Sequence, residues 1–459
     1  MIQKLKAFER TYTALIKAFF ILLMFAIFYG LFLFDSAELR TELLRISRVS
    51  AILTMTFLVL HFSMIRIYGG YSIGGKDTKE TILSMIVAVS ITDIIAFLQL
   101  CVMEKRIVNI AILVLVMLMQ YLAIWIITHI ANIVYYKINP PKNLLIIYGD
   151  AIKLNNILIK LRHYKKRFKV GRVMHFSAEE LHRSIRSSEA VMLIDVPSSK
   201  KDYIIEYCYK REKQIYYTPE LADILINNAG HELVEDTTMF SYEHRGLTPL
   251  QKVLKRLCDI VISGIGLIIC TPIMIAEAIA IKLEDGGPVL FKQERSTING
   301  RTFKVWKFRT MVVHAEKNGT AVLASKNDPR ITKVGAFLRK TRMDELPQLF
   351  NVFFGSMSIV GPRPERDSIA QQYYKDLPEF EYRLKVKAGL TGYAQILGKY
   401  NTTPKDKLVL DLLYIEDYSL RLDFKIMFQT AIVFLTPERT EGFKETERTS
   451  FKKEKKSKD

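Results

Sequence analysis

The chain has few of the residues that mark metalloproteins and disulfide-stapled folds. Its four cysteines, Cys101, Cys208, Cys258 and Cys270, form no CxxC pair and no metal-ligand spacing, as in a reduced compartment. Eight histidines occur without an HExxH or comparable ligand pair, so nothing points to a histidine-held metal. Acidic residues are outnumbered by basic ones, 47 Asp and Glu against 66 Lys and Arg, for a net charge of +19. No helix-turn-helix, zinc finger or aromatic RNA-binding signature accompanies that charge, so no nucleic-acid partner is expected. Attraction to an anionic membrane leaflet accounts for it, with phosphate-bearing substrates drawn by the same field.

Long apolar runs, by contrast, fill the N-terminal third. Residues 18–34, 49–65 and 107–136 carry no charge, and residues 81–103 are interrupted only by Asp93. A bilayer core about 30 Å thick needs roughly 20 helical residues, so four spanning helices are expected. The first run lacks a small-residue cleavage site and is no signal peptide. Lys4, Lys6, Arg10 and Lys17 favour a cytoplasmic start, although Arg40, Arg45 and Arg48 in the first loop blur that signal. Four crossings return the chain from residues 137–142 onward to the cytoplasm. Asp93 is an intramembrane acid; a structural polar contact is favoured over transport, with His129 as a candidate partner.

Pro140–Pro141 closes the apolar third. Beyond it, strand-like runs at 144–148, 169–176, 190–196 and 214–217 alternate with helical stretches at 151–164, 177–187, 199–213 and 222–228. That alternation predicts a parallel, Rossmann-like α/β module. Where a dinucleotide site needs a glycine-rich turn the chain reads Tyr148-Gly149-Asp150, so a degenerate nucleotide-binding module is favoured over a working site. After Gly246-Leu247-Thr248-Pro249, residues 260–281 are nearly all apolar but contain Pro272 and Glu277. Proline breaks the helical ladder, so a re-entrant helix near 251–283 is expected rather than a fifth span. Strands at 289–294 and 302–308 flank Asn299-Gly300, a hairpin turn. Residues 407–435 read as one or two amphipathic helices, and the charged tail from Glu438 as disordered. The expected fold class is therefore a multidomain membrane protein. It comprises an α-helical transmembrane bundle (1–138), the Rossmann-like α/β module (139–245) and an α+β catalytic domain (246–437), followed by the tail (438–459).

The chemistry concentrates at Asp344–Glu345. Taken alone, the pair reads as acids in the first turn of a helix starting near Pro347. Its surroundings change that reading. Arg339, Lys340 and Arg342 lie upstream, Arg363 sits in the stiff Gly361-Pro362-Arg363-Pro364 turn, and Lys307 and Arg309 come from the hairpin. So many cations suit a diphosphate, and they would keep Asp344 ionised as a nucleophile. Asp344 and Glu345 also offer hard oxygens to a divalent ion, Mg²⁺ being the best fit.

Four stretches occur in order: Lys307-Phe308-Arg309-Thr310-Met311, Asp328-Pro329-Arg330-Ile331-Thr332, Asp344-Glu345-Leu346-Pro347-Gln348-Leu349 and Gly361-Pro362-Arg363-Pro364. Together they resemble the bacterial sugar transferase family, the monotopic polyprenyl-phosphate sugar-1-phosphate transferases, over residues 250–436. The N-terminal regions resemble those of its larger members, which start exopolysaccharide or O-antigen assembly. The resemblance implies that Asp344 is the nucleophile and Glu345 its dyad partner. It implies that Asp344 attacks the β-phosphate of a UDP-sugar, releasing UMP, and that undecaprenyl phosphate then takes up the phosphosugar. It further implies Mg²⁺ dependence, phosphate-binding roles for Arg339 and Arg363, Pro272 as the break in the membrane anchor, and a homodimer. Two stretches depart from the family pattern. Lys387-Ala388-Gly389-Leu390-Thr391-Gly392 replaces Lys-Pro-Gly-Leu-Thr-Gly, and Arg295-Ser296-Thr297 replaces Arg-Val-Gly. The sugar, the pathway and any nucleotide on the α/β module stay open. So do two rival readings, a non-enzymatic scaffold and a glycosyltransferase that releases UDP.

Overall fold

The structure, a computed structural model, describes residues 2–35, 40–41, 47–70, 74–75, 77–227, 229–242, 246–313, 315, 328–398 and 402–435. Arg45 and the charged tail from Glu438 lie outside the described residues. The chain forms two compact units, Met1–Thr218 and Pro219–Asp459.

The first unit opens with four long apolar helices: α1 (Ile2–Asp35), α2 (Arg48–Tyr68), α3 (Thr78–Glu104) and α4 (Ile110–Ile138). Their inner faces follow the helical repeat. Phe20, Met24, Phe28 and Phe32 recur every fourth residue on α1, as do Leu53, Phe57, His61 and Ile65 on α2. Their outer faces are apolar too, with Leu22, Ile52, Leu98 and Leu118 exposed. A helix that is hydrophobic all round belongs in a membrane or a large core. The polar residues turn inward. Gln120 Nε2 donates to the Met24 carbonyl at 3.2 Å and to Asp93 Oδ1 at 3.4 Å. The partner of Asp93 is thus Gln120 and not His129, whose Nδ1 is 2.8 Å from the Trp125 carbonyl of its own helix.

The same unit continues through β1 (Lys142–Tyr148), α5 (Ala151–Leu161), β2 (Phe168–His175), α6 (Leu181–Ser187), β3 (Ala190–Ile194), α7 (Ser198–Tyr209) and β4 (Gln214–Tyr217). The four strands form one parallel sheet in the order β2-β1-β3-β4. Leu144, Leu145, Ile146 and Ile147 are all buried, as a strand covered by helices on both faces requires.

In the second unit, α8 (Leu221–Ile226) follows the α/β alternation in sequence. Its Ile224 is buried with Leu408 and Leu412. A hairpin of β5 (Gly230–Val234) and β6 (Thr237–Ser241) leads to α9 (Pro249–Asp285), which is helical straight through Pro272. Leu257, Val261, Ile265, Ile268, Ile275, Ile279 and Leu283 leave a continuous apolar stripe exposed along α9. The opposite face packs through Met274 and Ile281 against Phe308 and Leu338. The hairpin of β7 (Leu290–Ser296) and β8 (Thr302–Phe308) is antiparallel, and its connection places Asn299 and Gly300 at φ 56° and 71°. Then follow α10 (Lys333–Thr341), α11 (Gln348–Phe354), β9 (Ser358–Val360), α12 (Asp367–Asp376), β10 (Gly389–Thr391), α13 (Tyr393–Leu397), α14 (Pro404–Glu416) and α15 (Leu420–Leu435). Strands β9 and β10 pair in parallel over a core that includes Met357, Phe380, Leu408 and Ile426.

Candidate active site

Asp344 and Glu345 sit on a single 3₁₀ turn, Met343–Glu345, between α10 and α11. They are not in the first turn of the following helix, because α11 begins only at Gln348. The chain reverses at Arg342, whose φ of 57° is left-handed, a conformation that costs an L-residue roughly 1–2 kcal/mol. At the other end of α10, Thr332 caps the helix by accepting from Gly335 N at 2.9 Å. Gly335 lies so close to the Thr310 carbonyl that a Cβ there would stand 2.1 Å from the oxygen. Both ends of α10 are thereby fixed, and with them the turn that carries the acids.

Two further elements deliver cations to this turn. Asn351 of α11 donates to the Lys304 carbonyl at 2.8 Å and accepts from Trp306 N at 2.9 Å, which holds β8 beside α11 and presents Lys307. Asp259 of α9 accepts from Ser358 Oγ at 3.1 Å and Ile359 N at 3.0 Å, anchoring β9 just before the Arg363 turn. Arg383 Nη2, ion-paired with buried Asp411 at 2.8 Å, also donates to the Arg363 carbonyl at 2.8 Å.

The result is an asymmetric dyad. Glu345 Oε1 accepts from Lys307 Nζ at 2.7 Å and from Arg363 Nη2 at 2.8 Å. Burial opposes its ionisation, yet Arg363 and Lys307 outweigh burial and hold the carboxyl well below the usual range. Asp344 has no hydrogen bond or salt bridge among the described residues. Burial, and then the neighbouring Glu345 charge, push its carboxyl up, against the pull of Lys307, Arg339 and Arg363. One acid is therefore clamped and the other left without a partner; the cations expected to keep Asp344 ionised are present, but its burial and the Glu345 charge outweigh them.

The remaining residues expected at the site divide. Arg339 reaches its neighbourhood, with Nε donating to Thr310 Oγ1 at 2.8 Å and its charge acting on Asp344. Arg309 does not join the dyad. Its guanidinium pairs with Asp285 at the end of α9, and its Nε donates to the Pro288 carbonyl at 2.6 Å. The physical reason is that β8 ends at Phe308, so the alternation that would put residues 307 and 309 on one face stops short of Arg309. Pro272 does not break the helix as expected: α9 runs through it, since the lost donor removes one hydrogen bond while the turns on either side continue, and it lies two residues from Met274 on the packed face.

Glu277 is the residue that sequence reasoning passed over. It is buried on α9, on the face of Met274 and Ile281, and neither carboxylate oxygen has a partner among the described residues. It is close enough to Asp344 for their charges to interact. The one signal in the sequence was a lone acid late in an apolar run. Among the described residues no group of three His, Cys, Asp or Glu side chains is placed to hold a metal by itself.

Comparison with known proteins fits this arrangement. The profile of the bacterial sugar transferase family matches residues 250–437, which take in the dyad, Lys307, Arg339 and Arg363. A Rhizobium leguminosarum bv. phaseoli exopolysaccharide production protein is 40% identical over 199 residues, 42% of this chain and 98% of that protein. The chain belongs to the bacterial sugar transferase family. Among larger family members, a UDP-glucose:undecaprenyl-phosphate glucose-1-phosphate transferase of Klebsiella pneumoniae is 42% identical over 221 residues, 47% of each chain. A UDP-N-acetylgalactosamine-undecaprenyl-phosphate N-acetylgalactosaminephosphotransferase of Aeromonas hydrophila is 41% identical over 192 residues, 41% of this chain and 45% of that protein. The matches to these larger members span about half their length.

Proposed function

We propose that the protein transfers a sugar-1-phosphate from a UDP-sugar to undecaprenyl phosphate at the cytoplasmic face of a bacterial membrane. The observation that carries this reading is the free, half-buried Asp344 beside a Glu345 clamped by Lys307 and Arg363. An Asp344 carboxylate oxygen attacks the β-phosphorus of the donor, and the bond from that phosphorus to the oxygen bridging to the α-phosphate breaks. UMP leaves and an aspartyl-phosphosugar forms. A phosphate oxygen of the lipid then attacks the same phosphorus, the aspartyl-oxygen bond breaks, and Asp344 is regenerated. Lys307 and Arg363 position Glu345 and present positive charge to the transferring group, and Arg339 steadies phosphate oxygens.

A Mg²⁺ ion fits the residues present. Glu345 is taken up by two cations, but Asp344 and the partnerless Glu277 oxygens offer hard donors. Mg²⁺ usually takes one or two carboxylates and completes its shell with water and substrate phosphates. Bound there, it would neutralise diphosphate charge.

The membrane arrangement follows the same reading. Four spanning helices anchor the chain, and α9 acts as a re-entrant anchor rather than a fifth span. Asp259, about three turns into α9, and Asp285, its last residue, are tied to the same catalytic layer, to β9 and to Arg309, while its other face exposes the apolar stripe. The parallel β2-β1-β3-β4 sheet serves as a degenerate Rossmann-like module, and the whole assembles as a homodimer that starts exopolysaccharide or O-antigen assembly. Names of relatives point to glucose and N-acetylgalactosamine as sugars to test first. The deciding experiment incubates the full chain with a panel of UDP-sugars. Release of UMP and a phosphosugar adduct mapped to Asp344 by mass spectrometry support the mechanism, whereas UDP release overturns it. Asp344→Asn is expected to lose both signals, by at least about 10³-fold in rate, while still inserting into membranes.

A further inference from the structure

A second cationic site lies in the first unit, apart from the dyad and its chemistry. A cavity of 220 Å³ opens where Gly74 and Gly75, the start of α3, the end of α4 and the turn before β2 meet. Its walls are built rather than incidental. Asn132 Oδ1 accepts from Gly74 N at 3.1 Å and its Nδ2 donates to Thr78 Oγ1 at 3.1 Å, while Arg167 Nη1 donates to the Gly75 carbonyl at 3.3 Å.

Among the described residues, three consecutive cations, Lys165, Lys166 and Arg167, line this cavity against one carboxylate, Asp77. None of the three forms a salt bridge among the described residues, and Lys165 makes no hydrogen bond there either. Lys166 Nζ stands 5.6 Å from the Tyr136 ring. The Asp77 side chain does not cap α3, so the positive end of a 27-residue helix opens on the same wall at Thr78. Unpaired cations at a helix N-terminus form a site for an anion. The aromatic residues narrow the choice. Tyr136 and Tyr164 also line the cavity at the end of an apolar helix, the place such amphipathic rings take at a membrane surface. Leading away from Tyr136 along α4, Ile133, Ile130 and Ile126 are exposed at helical spacing, a path for an acyl chain. The cavity is smaller than the roughly 300–1,000 Å³ of sites for drug-sized ligands, so it suits a headgroup better than a nucleotide.

We propose that this cavity binds the phosphate headgroup of an anionic phospholipid, with the phosphate between Lys165, Lys166 and the opening of α3. The acyl chain lies on the Ile126–Ile130–Ile133 stripe, so a membrane lipid couples the helical bundle to the turn that enters β2.

The test uses the full chain in nanodiscs of phosphatidylglycerol or phosphatidylcholine, with lipid retained after detergent extraction counted by native mass spectrometry. Phosphatidylglycerol should be retained and phosphatidylcholine lost. The double variant Lys165→Ala/Lys166→Ala should bind phosphatidylglycerol roughly 30-fold more weakly. Lys200→Ala/Lys210→Ala, which removes equal charge elsewhere, should bind as the unaltered protein does, and Lys165→Arg/Lys166→Arg should restore retention. Equal retention of both lipids, or an alanine pair indistinguishable from the control pair, overturns the proposal. Failure of the arginine pair to restore binding also counts against it. Binding of inorganic phosphate without lipid retention assigns the site to a soluble anion and refutes the lipid.

Discussion

Glu345→Gln keeps the shape of the side chain and removes the charge that Lys307 and Arg363 share. The native carboxyl titrates well below the usual range because those two cations outweigh its burial. A lowered pKa stabilises the fold above the ordinary glutamate value of about 4.3, and that stability is lost as pH falls toward the lowered one. The two hydrogen bonds at stake, 2.7 and 2.8 Å long, are charge-assisted, a class worth about 1.5–3 kcal/mol each. Lys307 and Arg363 keep 24% and 40% of their side-chain surface exposed. Solvent screening of these part-exposed partners therefore puts the combined loss at neutral pH below the roughly 3 kcal/mol that two such bonds would give at their weakest, at about 2 kcal/mol. The catalytic consequence has the opposite sign in pH. Asp344 is pushed up by burial first and by the Glu345 charge second. Without that charge, Lys307 and Arg363 act on Asp344 unneutralised, and the acid limb of single-turnover UMP release should move down. Thermal melting across pH checks the first effect: the gap between the two proteins should close as pH drops below about 4. An acid limb that stays in place or moves upward would refute the electrostatic account of the dyad.

Three other outcomes follow from the same geometry. Gly335→Ala should cost about 1–3 kcal/mol, the range of an overpacked core, because its Cβ meets the Thr310 carbonyl; a melting temperature unchanged by this substitution would contradict the close approach. Arg309→Met should lower thermal stability yet leave the donor KM within about twofold, whereas Arg339→Met should raise it; a large KM effect at residue 309 would return that arginine to the substrate. Cysteines introduced at Lys252 and Lys282, near the two ends of α9, should both react with a membrane-impermeant thiol reagent from the cytoplasmic side only, and labelling of one end from outside would make α9 a true span.

Much of the fold was legible because local rules and tertiary packing agree. Asn299-Gly300 announces a turn with two positive φ angles, and the antiparallel hairpin follows. The β4 run 214–217 ends where the structure ends it. Legibility failed where packing partners decide. The segment around Ile224 has the form of one more α/β helix, but its apolar face is covered by Leu408 and Leu412, nearly two hundred positions away. Asp93 found Gln120 rather than His129 because the neighbouring helices bury Gln120 beside it, while His129 is half-buried against the Trp125 carbonyl of its own helix. Pro347 marks a helix start correctly to within a residue, yet cannot reveal that the acids before it occupy a separate 3₁₀ turn.

By itself, the sequence determined the membrane character, the order of the four family stretches and the identity of the acidic pair. Each depends on composition, spacing or residue type along the chain. Only the tertiary structure decided which acid is clamped and which is free. Lys307, Glu345 and Arg363 come from three separate elements, and their meeting depends on anchors such as Asn351 and Asp259. The same holds for Arg309, drawn away by Asp285, and for Glu277, left without a partner near Asp344. A side chain's charge is written in the sequence, but the field it experiences is set by neighbours that only folding brings within a few ångströms.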